Sequence, residues 1–101
     1  MNSVKDIKNK KKSTDWVTNL SFDQLPKIEN VAFIKDEIAF ILKDGRIIYI
    51  PINWRKKLLN ASQQQRQNFK NNGVHVFWDD LDEIIGVKNI LFGREYFYEV
   101  R

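Results

Sequence analysis

The chain has 101 residues, 43% of them hydrophobic and 13% aromatic, which is enough for one small packed domain and not for two. It contains no cysteine, which excludes a disulfide framework, a thiolate zinc site and a cysteine nucleophile. Its net charge of +4 belongs wholly to residues 1–14, where five lysines meet one aspartate, and from Asp15 onward bases and acids balance.

In chain order, residues 1–14 read as a solvated, disordered basic tail, the usual state of a block of like charge. Lys8, Lys10, Lys11 and Lys12 are its candidates for contact with phosphate or nucleic acid. A folded nucleic-acid domain would carry a basic face of its own. A single domain is expected over residues 15–101. No apolar run approaches the roughly 20 residues of a membrane helix, and the N-terminus lacks the apolar segment of a signal peptide. The expectation is a cytoplasmic protein with no membrane partner. Between Asp15 and Pro26, the apolar Trp16, Val17, Leu20, Phe22 and Leu25 suit a loop or short helix docked on the domain.

The stretch KDGRIIYI carries Asp44-Gly45 between two apolar runs, the strongest short hairpin signal. A two-residue type I′ turn there pairs Leu42 with Ile47 and Phe40 with Tyr49. One face then holds Ile38, Phe40, Leu42, Ile47 and Tyr49, and the other holds Ala39, Ile41, Ile48 and Ile50. Both are apolar, so the hairpin is expected to be covered on both sides, at least in part. Lys35-Asp36 makes a second tight turn that pairs Phe33 with Ile38 and Val31 with Phe40. The result is a three-stranded antiparallel meander over residues 29–50.

Pro51 ends the third strand, because it cannot donate to a ladder. Trp54 and Leu58 come next, at the spacing of one helical face. Ser62 and Gln65 fit a capping box opening a second short helix to Phe69. Asn72-Gly73 is a turn, and VHVFW reads as a fourth strand that Ile84 and Ile85 extend or follow. Val87 to Phe92 suits a last helical turn ended by Gly93, and EYFYEV alternates like a final strand. The predicted fold is α+β: a small, mainly antiparallel sheet, the meander plus one or two further strands, with two or three short helices.

Four acids, Asp79, Asp80, Asp82 and Glu83, crowd five positions. A calcium loop starting at Asp80 fails, because Ile84 and Ile85 fall where an oxygen ligand and a glycine are needed. Magnesium needs only one or two carboxylates beside a phosphate, and no glycine-rich phosphate loop lies near. Acid–base work needs carboxylates in opposed environments. The acids are therefore read first as a structural turn and second as a partner contact. His75, the single histidine, has no serine in a nucleophile-elbow motif to activate. No cofactor or metal is implied. Trp54 and Trp78 suit a core, or a base stack or partner anchor. Arg55, Lys56 and Lys57 form a basic cluster that reads as a wet helix face or a phosphate contact. Arg66 is placed to form a bidentate bond with Asp80, Asp82 or Glu83 if its helix crosses the acidic turn.

Two segments carry a family likeness. IPINWRKKLLNASQQQRQNF resembles a VPLAWFPRLLNATPEQRANW-type segment, and WDDLDEIIGVKNILFG resembles a WPDLDEDISVEGLLAG-type segment. Both belong to the bacterial domain-of-unknown-function family 2442, whose hairpin turn KDGR also matches. The likeness covers residues 29–93. Asp79 replaces a usual proline, Ile84 a usual acid and Gly86 a usual serine, which weakens a helix cap. The resemblance implies a small α+β domain and no established catalytic residue. Some relatives are fused to a DNA-binding helix-turn-helix, and others stand beside a second small protein as in toxin–antitoxin pairs. The resemblance thus implies a non-enzymatic protein-interaction or regulatory module with a small protein as partner. Its candidate surface is Trp54, Arg66, Trp78, Asp80, Asp82 and Glu83. The alternatives are a nucleic-acid-associated regulator using the lysine tail and, more remotely, a metal-dependent hydrolase.

Overall fold

The computed structural model describes residues 21–93. The expected basic tail, with Lys8, Lys10, Lys11 and Lys12, and the final strand in EYFYEV lie outside the described residues.

Strands β1 (Ile28–Ile34), β2 (Glu37–Leu42) and β3 (Ile47–Pro51) form the expected antiparallel meander in sequential order. The β1–β2 turn is the two-residue Lys35-Asp36, with Lys35 in the left-handed region at φ 54°. Phe33 faces Ile38 and Val31 faces Phe40, as the apolar pattern requires.

The β2–β3 hairpin differs from the expectation by one residue. A type I′ turn needs positive φ at both central residues, and here Gly45 alone has it, at 99°. The connection is instead the three-residue loop Lys43-Asp44-Gly45. It is closed by the Leu42 N–H on the Arg46 carbonyl at 2.9 Å and the Gly45 N–H on the Leu42 carbonyl at 3.1 Å. The Asp44 carboxylate holds this shape, accepting from the Arg46 N–H at 3.1 Å and from Arg46 Nε at 3.0 Å. Phe40 therefore faces Ile48, and Ala39 faces Tyr49. A one-residue slip turns a strand over. Ile48 and Ile50 join Ile38, Phe40 and Leu42 on the core side, and Ile47 and Tyr49 go outward. The outer face is covered only in part: Ala39 is buried and Ile41 half-buried, while Ile34, Ile47 and Tyr49 are 44%, 48% and 49% exposed.

A second antiparallel sheet holds β4 (Lys70–Asn71), β5 (His75–Trp78) and β6 (Glu83–Gly86). Two-residue β4 has no periodicity to announce it. The Asn72-Gly73 turn between β4 and β5 uses the Asn72 side chain to accept from the N–H groups of Val74 and His75, at 2.9 and 2.8 Å. The same turn ties the sheets together. The Gly73 carbonyl accepts from the Ile28 N–H at 2.8 Å, and Asn71 Nδ2 donates to the Ile28 carbonyl at 3.0 Å.

Between the sheets run a 3-10 turn (Ile52–Trp54), α1 (Lys56–Leu59) and α2 (Gln63–Gln67). Trp54 and Leu58 do not share a helix, because Arg55 is extended (φ −127°, ψ 98°) and separates the two elements. The Ser62–Gln65 capping box is present, each side chain accepting from the other residue's N–H at about 3 Å. Helix α3 (Val87–Phe92) closes the described chain. Phe40, Leu58, Val76, Trp78 and Ile85 are completely buried and join both sheets and α1 into one core. Among the described residues no helix is long and apolar enough to cross a membrane.

Candidate functional site

The acidic run is a reversal between β5 and β6. Asp79–Leu81 make one 3-10 turn, and Asp82 then sits in the left-handed region at φ 52°, ψ 51°. An aspartate tolerates that conformation better than a branched residue does. The chain turns back at once, so that Trp78 faces Glu83 across the ladder. Cross-strand partners share a sheet face. Glu83 is thereby carried inside with Trp78.

A buried carboxylate must be paired, because losing its water without compensation is costly. Glu83 is paired with Arg55, whose Nη2 donates to Glu83 Oε2; their side chains are 3% and 19% exposed. Lys57 Nζ donates to the Asp82 main-chain carbonyl at 3.0 Å, while the Asp82 carboxylate, fully exposed, stands 4.0 Å off. The expected wet basic cluster is thus a clamp on the acidic turn. Of its three cations the arginine takes the buried place, as its weakly hydrated fork favours. Lys56 remains exposed. Outside the clamp, Asp80 accepts from Asn68 Nδ2 at 2.7 Å, and Asp79 pairs with Lys70 at 3.0 Å.

Arg66 is not the partner of these acids. Its Nε and Nη2 donate to the carbonyls of Leu58 and Leu59, each at 2.9 Å, satisfying the end of α1. Its guanidinium lies 5.6 Å from the centre of the Phe33 ring. The carbonyl of Arg66 accepts from Trp78 Nε1 at 2.9 Å. Helix α2 therefore meets the turn through Trp78 and Asn68, not through an Arg66 ion pair. Of the expected surface residues, Trp78 is completely buried and Glu83 nearly so, which withdraws both from any contact surface. Trp54 is half-buried against the core. Sequence reasoning places Arg55 only as a wet or phosphate-binding residue and misses its role as an ion-pair partner. The available signal is the lone arginine of a basic run, in a chain whose folded part carries an unexplained glutamate.

His75 faces Gly86. A Cβ at Gly86 would stand 2.7 Å from His75 Cδ2, so glycine is what lets the ring lie there. This accounts for the departure from serine. The other half of a capping box is present: Asn89 Oδ1 accepts from the Gly86 N–H at 2.6 Å, while glycine offers no side chain to accept from the first turn. The ring meets Phe22 edge-on at 5.5 Å, and Lys88 Nζ lies 4.6 Å from the centre of the Phe22 ring. Burial pushes the His75 pKa below its ordinary value.

Shallow grooves adjoin these elements, one of them along the acidic turn at Trp78, Asp79, Asp82 and Glu83. Gln64, Gln67, Asn68 and Asp80 line a polar one. Asp36, Glu37, Pro51, Ile52 and Leu59 line another, at the end of the partly covered sheet face, with Leu59 itself 42% exposed. Among the described residues no three His, Asp or Glu side chains converge as metal ligands.

Residues 28–96 match the model of a family described as "Protein of unknown function (DUF2442)". No curated protein and no solved structure matches the chain.

Proposed function

This chain belongs to the DUF2442 family, and we propose that it is a protein-interaction module rather than an enzyme. The observation that carries this reading is the outer face of the first sheet. A domain that buries Phe40, Trp78 and Leu58 completely leaves Ile34, Ile47 and Tyr49 about half exposed on one face. Apolar side chains grouped on a surface mark contact sites, whereas single ones do not. The neighbouring groove adds Leu59 with the acids Asp36 and Glu37 at its rim. A protein presenting apolar side chains flanked by basic ones fits that chemistry. A small basic toxin-like neighbour, of the kind the family resemblance implies, is one candidate, and cytoplasmic action is part of the same proposal.

The signature residues Glu83 and Trp78, with Arg55 of the basic run, support this reading from the other side. Each is engaged in holding the β5–β6 reversal against α1 and α2, which leaves a structural role for the acidic turn. The nucleic-acid reading loses Arg55 and part of Lys57 from its candidate contacts for the same reason.

A photo-crosslinking phenylalanine analogue placed at Tyr49, and separately at Asp80, tests the proposal in cells of the natural source. A protein adduct from position 49 and little from position 80 is expected. Adducts from position 80 alone would move the surface to the acidic turn, and protein adducts from neither would overturn the interaction reading.

A further inference from the structure

The partly covered face ends at a strand edge with a hydrogen-bonding pattern of its own. In an antiparallel ladder, residues alternate between turning their N–H and C=O toward a neighbouring strand and away from it. The Leu42 N–H reaches the Arg46 carbonyl and the Ile52 N–H reaches the Asp36 carbonyl, both at 2.9 Å. By alternation Ile48 and Ile50 bond to β2, and the main-chain groups of Ile47 and Tyr49 point away from the sheet. β3 is the last strand in the order β1-β2-β3, so these groups meet no further strand among the described residues. Pro51 also points outward but has no N–H, which ends the usable edge. On the opposite edge, β1, Gly73 and Asn71 of the other sheet take both main-chain groups of Ile28, and the Val31 N–H bonds to the Asn30 side chain. An edge that pairs with nothing invites another strand.

Resting on the interaction reading above, we propose that the occupant of this edge is β3 of a second copy of the chain. Ile47 of each copy lies opposite Tyr49 of the other, and Ile48 meets its counterpart on the two-fold axis. Four main-chain hydrogen bonds form, two from each copy, and every outward group of Ile47 and Tyr49 is used. The half-exposed Ile47 and Tyr49 become cross-strand neighbours on one face, a favourable aromatic and β-branched pair made twice. The two meanders become one six-stranded sheet.

Charge favours a copy of the same strand over an arbitrary one. The start of β3 is flanked by Lys43 and Arg46, the latter already paired with Asp44. The end of β3 lies beside Asp36 and Glu37, because Glu37 faces Pro51. All of these side chains are exposed. Antiparallel self-pairing sets the basic end of each copy beside the acidic end of the other, as a closed two-fold interface requires.

Sedimentation equilibrium of the full chain tests this. The expected mass is twice the 12.1 kDa of one chain. Tyr49→Lys places a charge at the centre of the edge, and Ile47→Pro deletes an outward N–H without touching the β2 ladder. Both variants should sediment as monomers, and Tyr49→Lys should keep its circular dichroism spectrum and melting temperature measured under dissociating dilution. Lys43→Glu should weaken the dimer, and Lys43→Glu with Glu37→Lys should restore it. A chain that stays monomeric up to about 1 mM overturns the proposal, and so does a dimer that a folded Tyr49→Lys variant keeps. A monomer that still crosslinks to another protein from position 49 overturns the second copy alone and leaves the interaction reading standing.

Discussion

Arg55 and Glu83 stand 28 residues apart in sequence and meet as an ion pair beneath the β5–β6 reversal. The pair gives the buried carboxylate of the acidic run its partner in the basic run. The carboxylate is carried inside because it faces Trp78 across a two-strand ladder, and the guanidinium accompanies it and neutralises it. Removing one partner leaves a buried charge without compensation, which costs about 3 kcal/mol or somewhat more. Arg55→Met is expected to lose that much in urea unfolding. Arg55→Met with Glu83→Leu should recover most of the loss, because the mutual attraction and the desolvation cost disappear together. A double-mutant cycle with no coupling would remove the pair from the account of stability.

Asp82 contributes its main chain more than its carboxylate. Its φ is 52°, and Lys57 bonds to its carbonyl at 3.0 Å rather than to the carboxylate at 4.0 Å. Asp82→Gly is therefore expected to keep stability within about 0.5 kcal/mol or to raise it, since glycine enters the left-handed region freely. Asp82→Val should lose roughly 1–2 kcal/mol, the cost of a branched residue there. Thermal melts of the two variants check this, and equal losses would show that the carboxylate matters more than the backbone.

Arg66 secures α1 to α2 through two carbonyls and the Phe33 ring. Arg66→Lys keeps the charge but loses the fork, so a loss of about 1–2 kcal/mol is expected. Asp80→Asn should leave the effect of Arg66→Lys unchanged, because no ion pair joins Arg66 to the acids among the described residues. Strong coupling between Arg66 and Asp80 in such a cycle would contradict this geometry.

The parts of the fold that are legible in the sequence are those fixed by neighbours along the chain. The Ser62–Gln65 capping box, the Asn72-Gly73 turn and the Lys35-Asp36 reversal each depend on residues a few positions apart. The β3 register is not legible, because Asp-Gly supports both a two-residue and a three-residue loop. Both faces of β3 are apolar, so the pattern cannot choose between them; the Asp44 bonds to Arg46 decide it. Charge pairs Arg66 with the acids, and helix α2 does approach the turn. The contact is made by Asn68 and by the Arg66 carbonyl instead, so charge alone points to the wrong side chain. The match over residues 28–96 bears out the family resemblance.

His75 makes the fold less stable in mild acid. Its pKa is lowered by burial, against an ordinary value near 6.5. Folded chains therefore bind the proton less readily than unfolded ones, and stability falls as pH drops below about 6.5 toward the folded pKa. The ring is held by Phe22 and Phe77 on its sides and by Gly86 across the ladder, so protonation must occur in a partly dry, aromatic setting. A melting temperature that declines between pH 7 and pH 5.5 is expected, and His75→Phe should flatten that decline. Gly86→Ala should cost about 1–2 kcal/mol in the native background, from the clash with the ring. It should cost less when combined with His75→Ala, which removes the ring. A decline of equal slope in His75→Phe would assign the pH dependence to other groups.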